Sequence, residues 1–333
     1  MILDDLNALT RHHRAHCKPY ADYVQSMFGK DEAEDLSQVP YLPARAFKSF
    51  KLQSIPEADV FKTMRSSGTS GAQSTIILDK LTAQRQTRAL TASFADHFGK
   101  GRFPMLVIDT ESTVKDRLSF SARTAGVNGF SLFSRGRAFA LNDDLKLDLP
   151  RTRAFLEEHA GKPIFVFGFT FLIWTALFEE LATSGEKLDL SNAFILHGGG
   201  WKKLEDRKVD NATFKARLAE TTGCTRVHNY YGMIEQTGTI YIECEEGRLH
   251  AGPQSDVIVR DPHTHAVLGP GETGLIQVFS TIQESYPGHS VLTEDMGRVY
   301  PGTDCPCGRT GTIVEIEGRL PKAEIRGCSD AYR

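Results

Sequence analysis

The chain has 333 residues, of which 40% are hydrophobic and 24% charged, and its formal net charge is −3. This composition is typical of a globular protein with one large domain or two, and the weak charge gives no reason to expect nucleic acid or an anionic membrane as partner. The N-terminus, Met1-Ile-Leu-Asp-Asp, is acidic and no apolar stretch follows it. We therefore expect no signal peptide and a cytoplasmic location.

The first 60 residues predict helices and loops, interrupted by Pro40, Pro43 and Pro56. A basic segment near the start contains His12, His13 and His16, which we expect to be solvated.

The next informative feature is the run Arg-Ser-Ser-Gly-Thr-Ser-Gly at 65–71. Such a loop turns sharply and brings backbone N–H groups and hydroxyls around an anion, here a polyphosphate. It is not a Walker A loop, because no Gly-Lys-Ser/Thr follows. The alternative is a solvated surface turn. The predicted ATP-binding residues of this loop are Ser66, Ser67, Gly68, Thr69, Ser70 and Gly71.

Short apolar strands then alternate with helices, which predicts an α/β core. Strands are predicted at 74–78, 105–108 and 194–196, and helices at 80–99, 151–160, 174–184 and 211–222, the last capped by Asn211. The most apolar run, 164–178, is too short to span a bilayer. It predicts a buried strand that continues into a core helix, one wall of an apolar substrate pocket, or both.

Strands dominate after Thr239, which predicts a β-rich sub-lobe packed on the α/β part. We predict an α/β core over 1–239, the sub-lobe over 240–325 and a C-terminal tail over 326–333 that carries Cys328.

Three further blocks carry groups suited to nucleotide chemistry. Gly198, Gly199 and Gly200 follow a buried strand, at the usual ligand side of an α/β sheet. The segment Asn229–Gln236 supplies Tyr230, Tyr231 and Gly232, and Glu235 is placed to hold Mg²⁺. Asp295 is placed to accept hydrogen bonds from ribose hydroxyls, whereas nothing in the sequence orients the nearby His289.

The cysteines suggest a separate metal site. Cys305 and Cys307 are separated by one residue, and Cys244 and His250 lie upstream in predicted β-structure. If the flanking strands pair, these residues form a tetrahedral Cys₃His zinc site with a structural role. The alternative is a turn with reduced, metal-free thiols.

Together, these blocks resemble the adenylate-forming superfamily of acyl- and aryl-CoA synthetases. Ser-Ser-Gly-Thr-Ser-Gly and Tyr-Gly-Met-Ile-Glu resemble two of its signatures, although Ile234 replaces the usual threonine. Gly271–Ile276 resembles a third, and Gly318-Arg319 is followed by Leu320-Pro321 where an Asp-Asp pair is usual. The segment from Cys305 also resembles phenylacetate-CoA ligase-like proteins.

A closer resemblance is to the acyl-protein synthetase (LuxE) family, the long-chain-fatty-acid–luciferin-component ligases. It rests on the glycine-rich loop, Tyr41–Lys48, His197–Trp201, Tyr230–Gln236 and the tail 325–330. It implies the large α/β N-terminal domain of adenylate-forming enzymes and the use of ATP and Mg²⁺ to activate a fatty acid. The acyl group then moves to Cys328 and on to a reductase partner. Arg319 would bind ribose.

The same resemblance implies that the usual mobile C-terminal domain is absent, because the chain ends fourteen residues after Arg319. Lys322 would then replace the lysine that this domain normally supplies. CoA or a carrier-protein thiol is the second choice of acceptor. Two alternatives to a fatty-acid ligase stay open: an aryl-carboxylate-activating enzyme, and a non-catalytic nucleotide- or acyl-binding scaffold.

Overall fold

The computed structural model describes residues 2–30, 32–66, 73–115 and 122–320, without the side chains of Ala122, Lys202, Lys203 and Glu205. Among these residues, no helix combines the length and the apolar character needed to cross a membrane.

Short helices and one long helix surround the sheet. The helices are α1 Ile2–His16, α2 Lys18–Met27, α3 Ala46–Ser49, α4 Lys80–Phe98, α5 Ser112–Lys115, α6 Ala122–Phe130, α7 Leu149–Glu158, α8 Thr170–Leu172, α9 Glu180–Ser184 and α10 Asn211–Thr222. A π-helical segment, Ile173–Glu179, joins α8 to α9.

Within the described residues, twelve strands form one mixed sheet, and β2 and β3 form a separate hairpin. The strands are β1 Leu42–Pro43, β2 Lys62–Arg65, β3 Thr75–Leu78, β4 Phe103–Thr110, β5 Ser134–Leu141, β6 Ile164–Phe169, β7 Ala193–Gly198, β8 Arg226–Tyr231, β9 Tyr241–Glu243, β10 Leu249–His250, β11 Ser255–Arg260, β12 Gly274–Ser280, β13 Ser290–Tyr300 and β14 Ile313–Arg319. The order is β11-β12-β13-β14-β10-β9-β8-β7-β6-β4-β5, with β1 paired to β13.

The parallel half runs from β5 through β4, β6 and β7 to β8. Every residue of β6 and β7 is buried, as expected for parallel strands covered on both faces. The run 164–178 is a buried strand followed by a largely buried helical segment, as predicted. The parallel arrangement places the carboxyl ends of β7 and β8 side by side, at the edge where ligands bind in such sheets.

The antiparallel half contains the strands predicted after Thr239. It joins the parallel half directly, because β9 pairs with β8 and β10 pairs with both β9 and β14. The strand-rich character of this half is confirmed. The boundary at residues 239 and 240 stays a prediction.

The ends of α4 and α10 show how well local sequence signals predict where helices begin and end. Helix α4 begins after Asp79, whose side chain accepts the N–H of Thr82 at 2.7 Å, and ends at Gly99 with φ +85°, close to the predicted bounds. The prediction that Asn211 caps α10 is wrong. Asp210 is the cap and accepts the N–H of Thr213, so Asn211 is the first helical residue.

The N-terminal histidines correct a second prediction. His13 is completely buried, its ring stacks on that of His289, and its Nδ1 lies 2.7 Å from Ser54 Oγ. His289, for which the sequence shows no partner, lies 3.0 Å from Thr10 Oγ1 and 3.3 Å from the Tyr20 hydroxyl. The expectation of a solvated segment fails for His13 because α1 packs against the antiparallel half of the sheet. The sequence around His13 carries no signal of that long-range contact.

Candidate functional site

The base of the glycine-rich loop lies directly against Glu235. The loop starts and ends at a small hydrogen-bonded closure: the Ser66 N–H donates to the Ser74 carbonyl at 3.0 Å, and the Ser74 N–H donates to Ser66 Oγ at 2.9 Å. The Ser74 hydroxyl then donates to Glu235 Oε1 at 2.6 Å. The hairpin β2–β3 therefore brings a predicted phosphate-binding loop to the predicted metal-binding carboxylate. The loop's own Ser67, Gly68, Thr69, Ser70 and Gly71 lie outside the described residues.

Glu235 is buried, with 7% of its surface exposed. Burial raises the pKa of its carboxyl group, while the hydrogen bond from Ser74 and the charges of Lys48 and Arg319 act in the opposite direction. An ionised carboxylate in such a place is unfavourable unless a cation or donors compensate it. Ser74 donates to Oε1, and the backbone N–H of Glu235 is a further donor to the carboxylate. Glu235 therefore suits a hard cation such as Mg²⁺.

The turn that carries Glu235 is fixed on both sides. It follows β8 as a single 3₁₀ turn, Ile234–Gln236. The Gln236 side-chain amide donates to the carbonyls of Val278 and Gly288 at 3.1 and 2.9 Å. A Cβ placed on Gly288 would lie 2.6 Å from the Glu235 carbonyl oxygen, so only glycine fits at this approach. The antiparallel half of the sheet thus positions a residue of the parallel half.

A second group lies on the antiparallel strands. The Tyr231 hydroxyl donates to Asp295 Oδ2 at 2.7 Å, and Arg319 Nε lies 3.5 Å from Asp295 Oδ1. Asp295 and Arg319 are direct partners in the register of β13 and β14. Burial, and then the Asp295 charge, raise the pKa of Tyr231 well above its usual range. Three predicted nucleotide-binding residues, Tyr231, Asp295 and Arg319, therefore lie together, and the Tyr231 hydroxyl orients the Asp295 carboxylate.

The first two of the three glycines at the end of β7 face aromatic rings. A Cβ on Gly198 would lie 2.6 Å from the Tyr230 ring, and one on Gly199 would lie 2.5 Å from the Phe169 ring. Gly199 and Gly200 both have positive φ, +79° and +64°, but the space at Gly200 is open. Aromatic rings therefore pack tightly against Gly198 and Gly199, but not against Gly200.

Tyr230 and Gly232 flank Tyr231 in the sequence and are the other two predicted ATP-binding residues of this segment. The Tyr230 ring packs edge to face on Phe130 and stacks near Phe167, in a cluster of buried aromatic residues. A Cβ on Gly232 would lie 3.1 Å from Ile240. Tyr230 therefore contributes to an apolar wall, and ATP binding by Tyr230 and Gly232 stays a prediction.

The four predicted zinc ligands lie close together, beside the end of β9 and the end of β10. One ligand atom from each of Cys244, His250, Cys305 and Cys307 lies within 4.8 Å of the others. Cys244 Sγ is 3.7 Å from Cys305 Sγ, and Cys307 Sγ is 3.4 Å from His250 Nε2. The strand pairing that the sequence required is present, because β10 pairs with both β9 and β14.

The surroundings of this cluster orient its ligands. His250 Nδ1 lies 3.1 Å from the Gly311 carbonyl and donates to it, which leaves the lone pair of Nε2 directed towards the thiols. Partial burial acts against ionisation of Cys307, but hydrogen bonds from the Arg309 N–H and neighbouring groups bring its pKa below the usual range. Burial raises the pKa of Cys244 to about 11. The cluster therefore holds one readily ionised thiol and ligand geometry suited to a soft metal.

The sequence reasoning missed two polar contacts near the ligand edge. Ser74, which binds Glu235, directly follows the glycine-rich loop, but a lone serine gives no signal. Buried Asp109, at the end of β4, accepts from Arg123 Nε at 2.8 Å and from Thr113 Oγ1 at 2.7 Å. An acidic residue at the carboxyl end of an apolar strand was the available signal.

Two predicted catalytic residues, Lys322 and Cys328, lie outside the described residues. Their roles stay predictions.

Comparison with known proteins decides the family. The sequence profile of the acyl-protein synthetase (LuxE) family matches residues 2–333. The chain belongs to the acyl-protein synthetase family. The long-chain-fatty-acid–luciferin-component ligase of Vibrio harveyi is 25% identical over 329 residues, covering 96% of this chain and 84% of its own length. The protein of that name from Aliivibrio fischeri is 23% identical, covering 93% and 82%.

Solved structures confirm the fold. A 2-hydroxyisobutyryl-CoA ligase, solved with 2-HIB-AMP and CoA, has a TM-score of 0.74 at 14% identity and covers 96% of this chain and 69% of its own. MatB from Rhodopseudomonas palustris, solved with ATP, has a TM-score of 0.52 at 17% identity and covers 80% and 49%. The predicted α/β fold of adenylate-forming enzymes is confirmed. As a member of this ligase family, the protein performs ATP-dependent activation of a carboxylic acid and acyl transfer.

Proposed function

We propose that the acid is a long-chain fatty acid and that the acyl group passes from its adenylate to the thiol of Cys328. The relatives' name, long-chain-fatty-acid–luciferin-component ligase, supports the substrate class. The observation that carries the proposal is the contact between Ser74, at the base of the glycine-rich loop, and the buried carboxylate of Glu235. It joins the proposed phosphate-binding loop to the carboxylate that we propose holds Mg²⁺.

Each group of residues has a separate role in the proposed reaction. Backbone N–H groups and hydroxyls of 66–71 bind the phosphates, Asp295 and Arg319 bind the ribose, and Glu235 holds Mg²⁺. Bound Mg²⁺ would neutralise phosphate charge. A carboxylate oxygen of the acid attacks the α-phosphorus, the bond to the bridging oxygen breaks, and pyrophosphate leaves. The Cys328 thiolate then attacks the acyl carbonyl, and AMP leaves. The protein contributes mainly positioning and electrostatic stabilisation.

The apolar wall beside this site suits an acyl chain. Gly126 lies against Phe167 and Phe169, and Tyr230 packs on Phe130. The same rings would also suit a flat aryl acid, which is the second candidate for the substrate.

Pyrophosphate exchange over a panel of carboxylic acids tests the proposal. We expect exchange with long-chain fatty acids and label on the protein after incubation with radioactive acid and ATP. Cys328→Ser should keep exchange and lose the label, with Cys17→Ser as the matched control. Exchange with aryl acids alone would favour the second candidate. If none of the acids in the panel supported exchange, the remaining interpretation would be a non-catalytic binding scaffold.

A structural zinc ion is the second part of the proposal. The convergence of three thiols and a correctly oriented imidazole supports tetrahedral coordination without an open position for catalysis. The Arg309 backbone N–H donates to Cys307 Sγ at 3.4 Å, and its guanidinium is paired with Glu245 at 2.7 Å and with Asp96 at 3.1 Å. Since Asp96 belongs to α4, a metal here would tie that helix to the strands.

Metal analysis tests the zinc site. We expect about one equivalent of zinc in protein purified without chelators, and a loss of that zinc together with several degrees of thermal stability in Cys305→Ser/Cys307→Ser. Cys224→Ala is the matched control, because Cys224 is buried but lies outside the cluster. Less than about half an equivalent of zinc in the wild-type protein would count against the site.

A further inference from the structure

The turn after β7 is anchored at both ends and open in the middle. His197, where the turn starts, and Trp201, where it ends, are buried. Gly199 and Gly200, which lie between them, are exposed. The ring of Phe214, on α10, packs on both anchors, with its centroid 4.6 Å from that of His197 and 6.0 Å from that of Trp201. The exposed backbone lies at the carboxyl end of β7, the edge where ligands bind in parallel sheets.

A hydroxyl group from the neighbouring strand fixes the start of this turn. Thr170 directly follows β6, whose last residue, Phe169, is the register partner of Gly198. The Thr170 hydroxyl donates to the Gly198 carbonyl at 3.1 Å, and its oxygen lies 2.9 Å from His197 Nδ1. Because the single hydroxyl proton is used on the carbonyl, the oxygen accepts the proton of Nδ1. A chain of two hydrogen bonds therefore joins the His197 ring to the backbone of the turn.

The His197 ring is held in one protonation state. Burial lowers the pKa of His197 to about 3, and the charges of Lys215 and His228 act in the same direction. The ring is therefore neutral near pH 7, with its proton on Nδ1. Nε2 is buried and has no hydrogen-bond partner within the part of the chain that the structure describes. Since an apolar side chain would avoid that unfavourable burial, the contact with Thr170 explains this histidine better than packing does.

We propose that Thr170, oriented by His197, is a positioning residue for ATP, because it holds the backbone of Gly199 and Gly200 where that backbone contacts the bound nucleotide. Thr170 is itself buried, so it acts through the turn. Both glycines have positive φ, and a turn of this kind is free to adopt other conformations unless its ends are fixed. A turn that is already ordered spares ATP the free-energy cost of ordering it. The inference rests on the proposed function, since it assumes that ATP binds at the carboxyl ends of β7 and β8.

Pyrophosphate exchange by Thr170→Val and Thr170→Ser tests this role. Valine keeps the shape of threonine but lacks the hydroxyl group, so we expect the KM for ATP to rise about tenfold, while kcat and the KM for the fatty acid change by less than about twofold. Serine keeps the hydroxyl group and should retain the wild-type KM for ATP. Thr152→Val is the matched control, because the Thr152 hydroxyl is buried without a hydrogen-bond partner among the described residues. Its KM for ATP should equal that of the wild type.

Substitutions at His197 check the role of the ring independently. An asparagine can place an amide N–H near the position of Nδ1, whereas a leucine cannot donate to Thr170. We expect His197→Leu to raise the KM for ATP and His197→Asn to restore part of the loss. Urea unfolding of the same preparations separates stability from positioning. A loss of stability in Thr170→Val with an unchanged KM for ATP would show a purely structural role and overturn the proposal.

This proposal and the proposed function fail in different ways. If the wild type exchanges pyrophosphate with a fatty acid and Thr170→Val has the wild-type KM for ATP, the role of Thr170 is overturned and the ligase stands. Equal increases in the KM for ATP and for the acid would also overturn that role. If no acid supports exchange, the ligase proposal fails, and equilibrium binding of Mg·ATP tests Thr170. Weaker binding by Thr170→Val than by Thr152→Val would then support the role of Thr170, and equal binding would overturn it.

Discussion

Glu235 lies in a buried position where an ionised carboxylate is unfavourable, and the groups around it only partly compensate that charge. An isolated buried carboxylate prefers its protonated form, and burial indeed raises the pKa of Glu235. Ser74 satisfies one oxygen, while Lys48 and Arg319 favour the charged form from a distance. These groups leave part of the negative charge of Glu235 uncompensated. That suits a residue that binds a metal ion during turnover, because a bound cation would compensate the rest.

Glu235→Gln should therefore separate stability from activity. The amide oxygen can still accept the Ser74 hydroxyl, and the unfavourable buried charge is gone, so we expect a free energy of unfolding equal to or above that of the wild type. Pyrophosphate exchange should fall about a hundredfold or more, because the metal ligand is lost. Urea unfolding and exchange measured on the same preparation check both results. Near-normal exchange in this variant would remove Glu235 from the metal site.

At the scale of elements, the turn after β7 shows what sequence reasoning can and cannot predict. The run of glycines after a buried strand indicated close approach of other groups, and the fully buried strands β6 and β7 followed from their apolar sequences. The partners of the glycines were not predictable, because Phe169 and Tyr230 come from different strands. A different, local limit applies to α10, where the adjacent residues Asp210 and Asn211 are both of types that cap helices.

Gly199→Ala and Gly200→Ala form a matched pair at this turn. Both would place an alanine at positive φ, which costs roughly 1 kcal/mol. Only Gly199→Ala also pushes a methyl group into the Phe169 ring. We expect it to lower the free energy of unfolding by about 1–3 kcal/mol more than Gly200→Ala and to reduce exchange, since the turn must move. Equal unfolding midpoints in urea for the two variants would show that Phe169 moves aside freely.

For the whole molecule, the fold class and the convergence of several candidate site residues were predictable, because the blocks proposed to contact nucleotide are short and carry their own chemistry. Glu235, Tyr231 and Asp295 could be chosen from residue type and position alone. The attachment of the N-terminal helices could not, since it depends on pairing between segments more than 200 residues apart. This attachment buries His13 against His289 and joins α1 to the antiparallel half of the sheet.

That attachment should be sensitive to acid. Burial and the charge of its partner place the pKa of His13 well below its usual value, and burial brings the pKa of His289 to about 3. Below about pH 6.5 the unfolded chain takes up protons that the folded histidines do not, so stability is complete above that pH and is lost as the pH falls towards the folded pKa values.

Each such histidine contributes up to about 1.4 kcal/mol per pH unit to this slope. His12 and Glu284 also face this region, and His12 Nε2 lies 3.0 Å from the Glu284 backbone carbonyl in a contact that every variant compared retains. Urea unfolding between pH 7.5 and 5 should show His289→Gln with a slope shallower by about one proton, whereas the exposed His16→Gln should match the wild type. An unchanged slope in His289→Gln would mean that His289 takes up its proton in the folded state, and that α1 separates from the sheet without unfolding the rest.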